Sequence, residues 1–543
     1  MMRSAKDLRV WARPALFLVM SALLAGCGSA RPGPDASPAA ISGPAQPVRG
    51  GVLQHGVAGS EAQSMDPLTL GGEQLTYNRL LEHRAAFYED TTLVPSLLEE
   101  WSVSPDGKKY TLRVRKGVKW QNLAPVNGRE FTAEDVAWNL GIWSQNSVYK
   151  SNFRLLERVD LIDRYTVELH LAQAAASFIE GTIGNYRLPM LAREVYEADG
   201  HFRDKTIGTG WMIFDKWEKG TSMSFRANPD YWETGSDGGA LPYVDGWVTH
   251  FLKEEPAMIA AFRAGKLDFL GSAGGILKES FEALKADFPN LRWQDGERAN
   301  IRFLEFNYAV KPLDDLRVRQ AICLAVNQGD IINLAVDGDA KWSGLIPVAI
   351  TDYAWPEEKI RQVYVQDTSK ARQLLREAGH SSLTLELSDY GGGPEYRRGG
   401  EYLQQALAAI GVQTTLKRLP STGAASQYEQ SGAFQLMLAA GRTTFEVDDW
   451  ITGPFHSKSG RNWGKFSDPE FDRLAEAQLL ELDKAKRKQI VDKIQEFYVQ
   501  KMVACPLWHK QTEHRVWSNR LENMKTFHWS VGWPHFQELW IRQ

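Results

Sequence analysis

Helix and strand patterns alternate through the second half of this chain, and the alternation limits its fold more than any other feature. A predicted helix that ends at Gly379 is followed by a strand at 383–387. A second predicted helix at 401–410 is followed by a strand at 412–416. Because strands that alternate with helices form a sheet covered by those helices, this half predicts an α/β lobe.

The first half predicts shorter strands joined by tight turns. Apolar and polar residues alternate at 110–115 and again at 165–171, which is the pattern of half-buried strands. A turn is predicted at 104–107, where proline is the second residue and glycine the fourth. Thr132 is a suitable N-cap for a helix whose first turn is acidic. The chain is long enough to bury two or more hydrophobic cores.

The N-terminal residues predict a secretory signal. A basic start precedes an apolar run at 15–24, which is shorter than the roughly 20 residues that span a bilayer. The sequence Leu-Ala-Gly-Cys at 24–27 looks like a bacterial lipoprotein signal, in which the cysteine receives a diacylglycerol and becomes the first residue after cleavage. We therefore expect removal of residues 1–26 and lipidation of Cys27. Residues 27–50, rich in Pro, Ala and Gly, predict a flexible tether.

The composition excludes one class of partner. The formal net charge is −4, the isoelectric point is about 6.3, and no block of basic residues is present. Nucleic acid is therefore not expected as a partner. After the signal, no apolar stretch is long enough to cross a bilayer.

Two cysteines remain besides Cys27. Cys323 and Cys505 could pair in an oxidising compartment, but each lies among apolar neighbours, and two separately buried thiols are the favoured interpretation. No Cys or His spacing suggests a zinc site, and His456 and His509 are isolated from other metal-ligating residues in the sequence. We expect neither a metal nor a cofactor.

The chain contains an ordered series of segments that includes Ser-Pro-Asp-Gly at 104–107, Phe-Thr-Ala-Glu-Asp-Val at 131–136 and Asn-Pro-Asp-Tyr-Trp at 228–232. This series resembles the bacterial extracellular solute-binding proteins of the dipeptide, oligopeptide and nickel type (family 5), the receptors of ABC importers. The resemblance extends over nearly the whole chain after the signal, although the loop at 121–130 is longer than is usual in the family. The matching segments are 59–67, Ser-Pro-Asp-Gly at 104–107, Tyr-Thr-Leu-Arg-Val-Arg-Lys-Gly-Val-Lys-Trp at 110–120, Phe-Thr-Ala-Glu-Asp-Val at 131–136, Ile-Gly-Thr-Gly at 207–210, Asn-Pro-Asp-Tyr-Trp at 228–232, Ala-Phe-Arg-Ala-Gly-Lys-Leu-Asp at 261–268, Pro-Leu-Asp-Asp-Leu-Arg-Val-Arg-Gln-Ala-Ile at 312–322 and Lys-Ala-Arg-Gln-Leu-Leu-Arg-Glu-Ala-Gly at 370–379.

The resemblance implies an α/β, two-lobe periplasmic-binding-protein fold of type II, of the large kind that carries an extra subdomain in its first lobe. A hinge joins the lobes, which close over a ligand between them. The expected first lobe covers 51–298, with the extra subdomain at about 84–200. The expected second lobe covers 299–504, and residues 505–543 return to the first lobe. The expected protein is a monomer that meets ABC permease subunits.

The segment 441–450 is the best candidate for ligand contact, because peptide-binding members of the family line their cleft with this loop. They use an aspartate there to pair with the α-ammonium group of the peptide. Asp448 or Asp449 could do so here, and Glu446 is a third candidate because the family's aspartate lies nearer to the glycine. A solvated acidic loop, or a cap on the following turn, is the structural alternative.

Other candidate contacts surround this loop or come from the first lobe. Arg442 could bind a carboxylate or pair with the loop acids. Aromatic rings could stack on a sugar or pack against peptide side chains, although ordinary core packing explains each ring singly. The aromatic candidates are Phe445, Trp450 and Trp463. The first-lobe candidates are Glu73, Tyr77 and Asn78.

The predicted function is that of a lipid-anchored extracytoplasmic receptor that delivers a di- or oligopeptide to an ABC importer. An oligosaccharide is the alternative ligand. A hydrolase and a receptor that senses without transport are the other classes considered. The sequence lacks the Gly-x-Ser-x-Gly, His-Glu-x-x-His and phosphate-loop motifs, and adjacent acids on one loop rarely reach both sides of a bond, so no enzyme is expected.

Overall fold

The computed structural model describes most of the chain beyond its N-terminal segment. The described residues are 46–58, 64–69, 75–83, 93–176, 178–185, 187–271, 275–296, 300–391, 393–420, 422–441, 446–510, 513–524 and 536–542. The predicted signal, most of the predicted tether and Cys27 lie outside them, as do Glu73, Arg442 and Phe445. Among the described residues, no helix has both the length and the apolar character needed to cross a membrane.

The described strands, in chain order, are β1 (Val52–Ala58), β2 (Leu81–His83), β3 (Leu93–Pro95), β4 (Leu98–Val103), β5 (Lys109–Val114), β6 (Leu156–Asp163), β7 (Thr166–Leu171), β8 (Met212–Glu218), β9 (Ser222–Ala227), β10 (Gly246–Leu252), β11 (Phe269–Leu270), β12 (Arg292–Gly296), β13 (Ile301–Phe306), β14 (Ala340–Lys341), β15 (Leu383–Asp389), β16 (Val412–Arg418), β17 (Leu436–Ala440), β18 (Cys505–Lys510), β19 (Glu513–Trp517), β20 (Leu521–Glu522) and β21 (Trp540–Ile541).

The described α-helices are α1 (Ala133–Asn146), α2 (Arg193–Asp199), α3 (Glu255–Arg263), α4 (Lys278–Asp287), α5 (Leu316–Leu324), α6 (Gln328–Val336), α7 (Glu357–Val363), α8 (Thr368–Glu377), α9 (Pro394–Ala408), α10 (Thr422–Ser431), α11 (Asp448–Phe455), α12 (Pro469–Leu480) and α13 (Lys484–Lys501). A π-helical turn covers Phe178–Ile183, and 3₁₀ turns cover Lys150–Phe153 and Phe536–Glu538.

The first lobe is built on a sheet with the order β12-β19-β11-β1-β10-β9-β8. Its central strand β1 pairs in parallel with both β10 and β11. Leu53 and Trp247, on the paired strands β1 and β10, are fully buried in an aromatic-rich core that also receives Phe536 from near the C-terminus. The first lobe is therefore discontinuous in sequence.

The extra subdomain of the first lobe contains the antiparallel sheet β4-β5-β7-β6. Tyr110, Leu112 and Val114 are buried, which confirms the predicted alternation in this strand. Thr132 and Asp135 form a capping box at the start of α1, and the backbone N–H of Thr132 donates to Asp135 Oδ2 at 2.9 Å.

The second lobe is built on a sheet with the order β14-β18-β13-β17-β15-β16. Strand β15 pairs in parallel with β16 and β17, whereas β13 is antiparallel to β17 and β18. The predicted strands at 383–387 and 412–416 lie within β15 and β16, and helices α8 and α9 occupy the predicted helical segments. The mixed sheets with their covering helices confirm the predicted α/β, two-lobe fold.

The chain passes between the two sheets at least twice. It leaves the first sheet after β12 for β13, and it returns from β18 to β19. The return is expected from residue 505, but Cys505–Lys510 still pairs with β13 in the second sheet, so the return follows this strand. The other lobe boundaries stay predictions.

Cys323 and Cys505 form a disulfide with a Cα–Cα distance of 5.5 Å. The expectation of two separately buried thiols is therefore wrong. The apolar neighbours that suggested burial do bury Cys505, which is 2% exposed. The pairing arises because α5 lies against β18 across a sequence separation of 182 residues, a proximity that no local pattern reveals.

Candidate functional site

A cavity lies between the lobes, where residues 152–182 of the extra subdomain face the start of α11 and the end of α12. The backbone N–H of Ala176 donates to the Leu479 carbonyl at 2.8 Å and joins the two sides. We call this space the interlobe cavity. Its polar lining includes Asn152, Arg154, Thr182, Glu446, Asp448 and Asp449.

Gly441, directly after β17, lies in close contact with α11 and β13. The backbone N–H of Gly441 donates to the Ile301 carbonyl at 2.6 Å, which extends the pairing of β17 with β13. A Cβ on Gly441 would lie 2.6 Å from the ring of Trp450 and 2.8 Å from the Ile301 carbonyl. Only glycine therefore fits between α11 and this strand, and α11 stands close to the sheet edge with its acidic first turn at the cavity.

Glu446 is held by a buried ion pair. The Arg487 guanidinium on α13 donates to Glu446 Oε1 at 2.5 Å, and the two side chains are only 5% and 8% exposed. Glu180 of the extra subdomain approaches the same carboxylate within hydrogen-bonding contact. Burial raises the pKa of Glu180 to about 7, the Glu446 charge adds to the rise, and Arg487 opposes it. This cluster thus joins charged groups from both lobes.

Asp448, which is partly exposed, occupies the first position of α11. Its Oδ1 accepts a hydrogen bond from Gln478 Nε2 at 2.7 Å and another from the hydroxyl of Thr452. Burial raises the pKa of Asp448 to about 6, while the positive charge of Arg154 across the interlobe cavity opposes the rise. Both of these hydrogen-bond donors are neutral, and the positive charges that favour the ionised carboxylate come from Arg154 of the other lobe and from Arg487.

Asp449 pairs with Arg461, whose Nη2 lies 2.7 Å from Asp449 Oδ1. Both side chains are mostly buried, with 15% and 17% exposure. Asp449 lines the interlobe cavity and also a second cavity that lies within the second lobe. The ion pair therefore stands where the two cavities meet.

The second cavity, which we call the aromatic pocket, opens beside the ends of β13 and β17. Phe455 and Tyr498 meet edge to face, with ring centroids 5.5 Å apart. The polar groups on its lining include Glu305, Glu429 and the Asp449–Arg461 pair. Its aromatic lining comprises Phe303, Trp450, Phe455, Trp463 and Tyr498.

The structure thus brings together five of the residues singled out in the sequence. Glu446, Asp448 and Asp449 line the interlobe cavity, and Trp450 and Trp463 line the aromatic pocket. Their roles as ligand contacts stay predictions, as do those of Arg442, Phe445 and Glu73, which lie outside the described residues.

Tyr77 and Asn78 are placed elsewhere, in the interior of the first lobe. The side-chain oxygen of Asn78 accepts hydrogen bonds from Thr209 Oγ1 at 3.1 Å and from Trp232 Nε1 at 3.4 Å. Tyr77 is 3% exposed and packs in the core of the extra subdomain. These contacts give both residues a structural role, and neither is among the described residues that line the two cavities.

Sequence reasoning missed the basic partners of the loop acids. Arg487 lies in a helix whose start is rich in Lys and Arg, so nothing in its neighbours marks it as buried. Arg154 and Glu180 come from the extra subdomain, and only the contact between lobes brings them to the cavity. Within the part of the chain that the structure describes, no group of three or more His, Cys, Asp or Glu side chains is arranged to hold a metal ion.

The sequence of this chain matches one protein family and is similar to known binding proteins. Residues 92–463 match the family profile described as "Bacterial extracellular solute-binding proteins, family 5 Middle". The chain is similar to di/tripeptide-binding protein 1 of Pseudomonas aeruginosa (strain UCBPP-PA14), with 25% identity over 80% of this chain and 83% of that protein. It is also similar to the dipeptide-binding protein of Escherichia coli (strain K12), with 28% identity over 63% of this chain and 65% of that protein.

A solved structure shares the fold. The ABC transporter-associated periplasmic binding protein DppA from Helicobacter pylori, in complex with the peptide STSA, superposes with a TM-score of 0.79 at 22% identity, and the alignment covers 91% of this chain and 99% of that one. The match to the family profile spans more than half of the chain. The chain therefore belongs to the bacterial extracellular solute-binding proteins of family 5, which are transport receptors and not enzymes.

Proposed function

We propose that this protein is a lipid-anchored extracytoplasmic receptor that captures a short peptide between its lobes and delivers it to an ABC importer. The observation that carries the proposal is the charge of the interlobe cavity. Three carboxyl groups, those of Glu446, Asp448 and Asp449, line it together with the guanidinium of Arg154. Arg487 and Arg461 pair with Glu446 and Asp449, so the carboxyl group of Asp448 is the one in this cavity that suits a ligand ammonium group.

Asp448 is the residue that we assign to the ammonium group. Glu446 and Asp449 each have an arginine of their own lobe within 2.7 Å, whereas the hydrogen bonds of Asp448 come from Gln478 and Thr452. Burial disfavours the ionised form of Asp448 and raises its pKa, so a ligand ammonium beside it would restore the charged form. The names of the relatives, which are di- and tripeptide-binding proteins, agree with a peptide ligand.

Binding measurements on the purified full-length chain test the ligand class. We expect dipeptides with a free amine to raise the melting temperature by mass action and to show saturable binding in calorimetry. The same dipeptides with an acetylated amine should lose at least ~10-fold in affinity, which is about 1.4 kcal/mol. Binding of oligosaccharides without binding of peptides would overturn the proposal in favour of a sugar receptor.

Asp448→Asn tests the assignment of the anchor. We expect it to weaken binding of free-amine dipeptides while changing binding of acetylated ones little. Asp135→Asn is the matched control, because Asp135 is also an acid in the first turn of a helix but lies in the extra subdomain outside both cavities. Equal losses in the two variants would contradict the assignment.

Lipid anchoring rests on the N-terminal sequence. Members of the family act outside the cytoplasm. We expect Cys27→Ser to release the protein from the membrane fraction and to remove the lipid mass from the mature N-terminus.

Delivery to a permease is tested in whole cells, where deletion of the gene should abolish uptake of the bound dipeptide. Unchanged uptake would contradict a role in transport.

A further inference from the structure

We propose that the aromatic pocket holds the side chain of the ligand's amino-terminal residue, so that this receptor selects peptides that begin with a bulky apolar residue. The inference rests on the proposed function, because it takes the ammonium group of a peptide to lie at Asp448. Beyond that function, it assigns selectivity among peptides to the side chain of their first residue.

The walls of the pocket favour an apolar occupant. Three packed elements contribute four of its rings. Phe303 lies on β13, and Tyr498 lies on α13. Trp450 and Phe455 both lie on α11. Trp450, Phe455 and Tyr498 are each less than 10% exposed and pack in one core cluster with Phe471. Rings fixed by packing are already arranged for a ligand ring, and binding orders few side chains.

The aromatic pocket lies next to the proposed site of the peptide's α-ammonium group. Asp449 lies on the walls of both cavities, and it follows Asp448 directly in the first turn of α11. In a peptide, the α-ammonium group and the first side chain are bonded to the same α-carbon. A peptide whose amine is at Asp448 therefore carries its first side chain, and not its second, closest to the Asp449–Arg461 pair and the pocket beyond it.

The polar groups of the pocket disfavour one class of side chain. Among the described residues of the lining, the carboxyl groups of Glu305, Glu429 and Asp449 stand beside the guanidinium of Arg461. Glu305 and Glu429 are 6% and 4% exposed, so water screens them little. An acidic side chain would meet these carboxyl groups in a buried site, and we expect peptides that begin with Asp or Glu to be rejected.

Calorimetry with four dipeptides tests the inference on the purified full-length chain. We expect Phe-Ala to bind at least ~10-fold more tightly than Ala-Ala, as burial of a large apolar side chain allows. Ala-Phe should gain much less, and Asp-Ala should bind more weakly than Ala-Ala. Equal affinities for Phe-Ala, Ala-Phe and Ala-Ala would overturn the inference. Failure of all four peptides to bind would instead overturn the proposed function, so the two failures are distinguishable.

Two variants locate the effect in the pocket. Leu345, a lining residue that is 5% exposed, is replaced in Leu345→Trp to fill the space. We expect this variant to lose the advantage of Phe-Ala over Ala-Ala while it still binds Ala-Ala. Retention of the full advantage in a folded Leu345→Trp protein would overturn the inference.

Trp463→Ala is the second variant, and it keeps the test decisive if the larger side chain prevents folding. We expect it to reduce the advantage of Phe-Ala at least ~3-fold, since one ring of the wall is lost. Trp138→Ala is the matched control, because Trp138 is also partly buried but lies in the extra subdomain. Equal effects of the two tryptophan substitutions on the Phe-Ala advantage would contradict the assignment.

Discussion

The Arg487 guanidinium donates to Glu446 Oε1 at 2.5 Å in a pair that is almost fully buried, and Glu180 of the other lobe contacts the same carboxylate. One arginine thus balances two carboxylates that belong to different lobes. The relationship makes the stability of the protein depend on this cationic side chain and on pH.

Removal of the cation should be strongly destabilising. We expect Arg487→Leu to lower the free energy of unfolding by about 3–5 kcal/mol, because it leaves the buried Glu446 carboxylate without its partner. The control is Arg473→Leu, which breaks an exposed pair with Glu470 and should change the stability little. Urea unfolding of both variants checks the difference, and similar losses would contradict it.

The contribution of Glu180 to the stability of the protein should fall as pH rises toward neutrality. The pKa of Glu180 is raised to about 7 in the folded protein, from an ordinary value of 4.5, so the folded state keeps a proton that the unfolded state has lost between these values. The contribution of Glu180 is therefore most favourable below pH 4.5 and declines as pH rises through about 7. Melting temperatures between pH 5 and 8 test this slope.

Glu180→Gln isolates that contribution. Glu233, half-buried in the first lobe, has a pKa that is also raised to about 7, chiefly by desolvation and by Glu82. We expect Glu180→Gln to reduce the pH slope and Glu180→Gln combined with Glu233→Gln to reduce it further. An unchanged slope in both variants would rule out these two carboxyl groups as its source.

Binding of free-amine peptides should have a pH optimum. Burial raises the pKa of Asp448 to about 6, so the anchor becomes increasingly neutral below that value. A peptide α-amino group loses its proton with a pKa of about 8. We expect affinity to be highest between these two values and to fall on both sides, as measured by calorimetry. In Asp448→Asn the acidic decline should disappear, and its persistence would assign the decline to another group.

The disulfide should stabilise the second lobe. We expect replacement of Cys323 and Cys505 by alanine to lower the free energy of unfolding by about 2–5 kcal/mol, because the bond links α5 to β18 over a sequence separation of 182 residues. Unfolding of the unmodified protein in the presence of a reductant should reproduce the loss. If the alanine variant unfolded at the same denaturant concentration as the oxidised protein, the stabilising role would be excluded.

A side chain at position 441 should destabilise the protein, because Gly441 lies against the Trp450 ring and the backbone of Ile301. We expect Gly441→Ala to cost about 1–3 kcal/mol of stability, because the added Cβ meets both the Trp450 ring and the backbone of Ile301. Gly460→Ala is the control, since a Cβ added there would have no atom of another part of the chain within 4 Å. Thermal unfolding compares them, and an equal change in both would show that the space beside Trp450 can relax.

The secondary structure and the fold were accessible from the sequence because they depend on local patterns. The alternation at 110–115 places Tyr110 and Leu112 on one buried face whatever the rest of the chain does, and Gly379 ends its helix by local backbone geometry. The ordered series of family segments then identified the two-lobe arrangement. The acidic loop was likewise visible as a candidate site, since Glu446, Asp448 and Asp449 are neighbours in sequence.

The tertiary structure alone decided which charged groups and which cysteines come into contact. Arg487 reaches Glu446 from a helix 41 residues away, Arg154 and Glu180 come from the other lobe, and Cys323 meets Cys505 across 182 residues. It also placed Tyr77 and Asn78 in the interior of the first lobe. Ion pairing, burial and the resulting pKa values depend on distances between remote segments, and these distances follow from the packing of whole elements rather than from any local pattern.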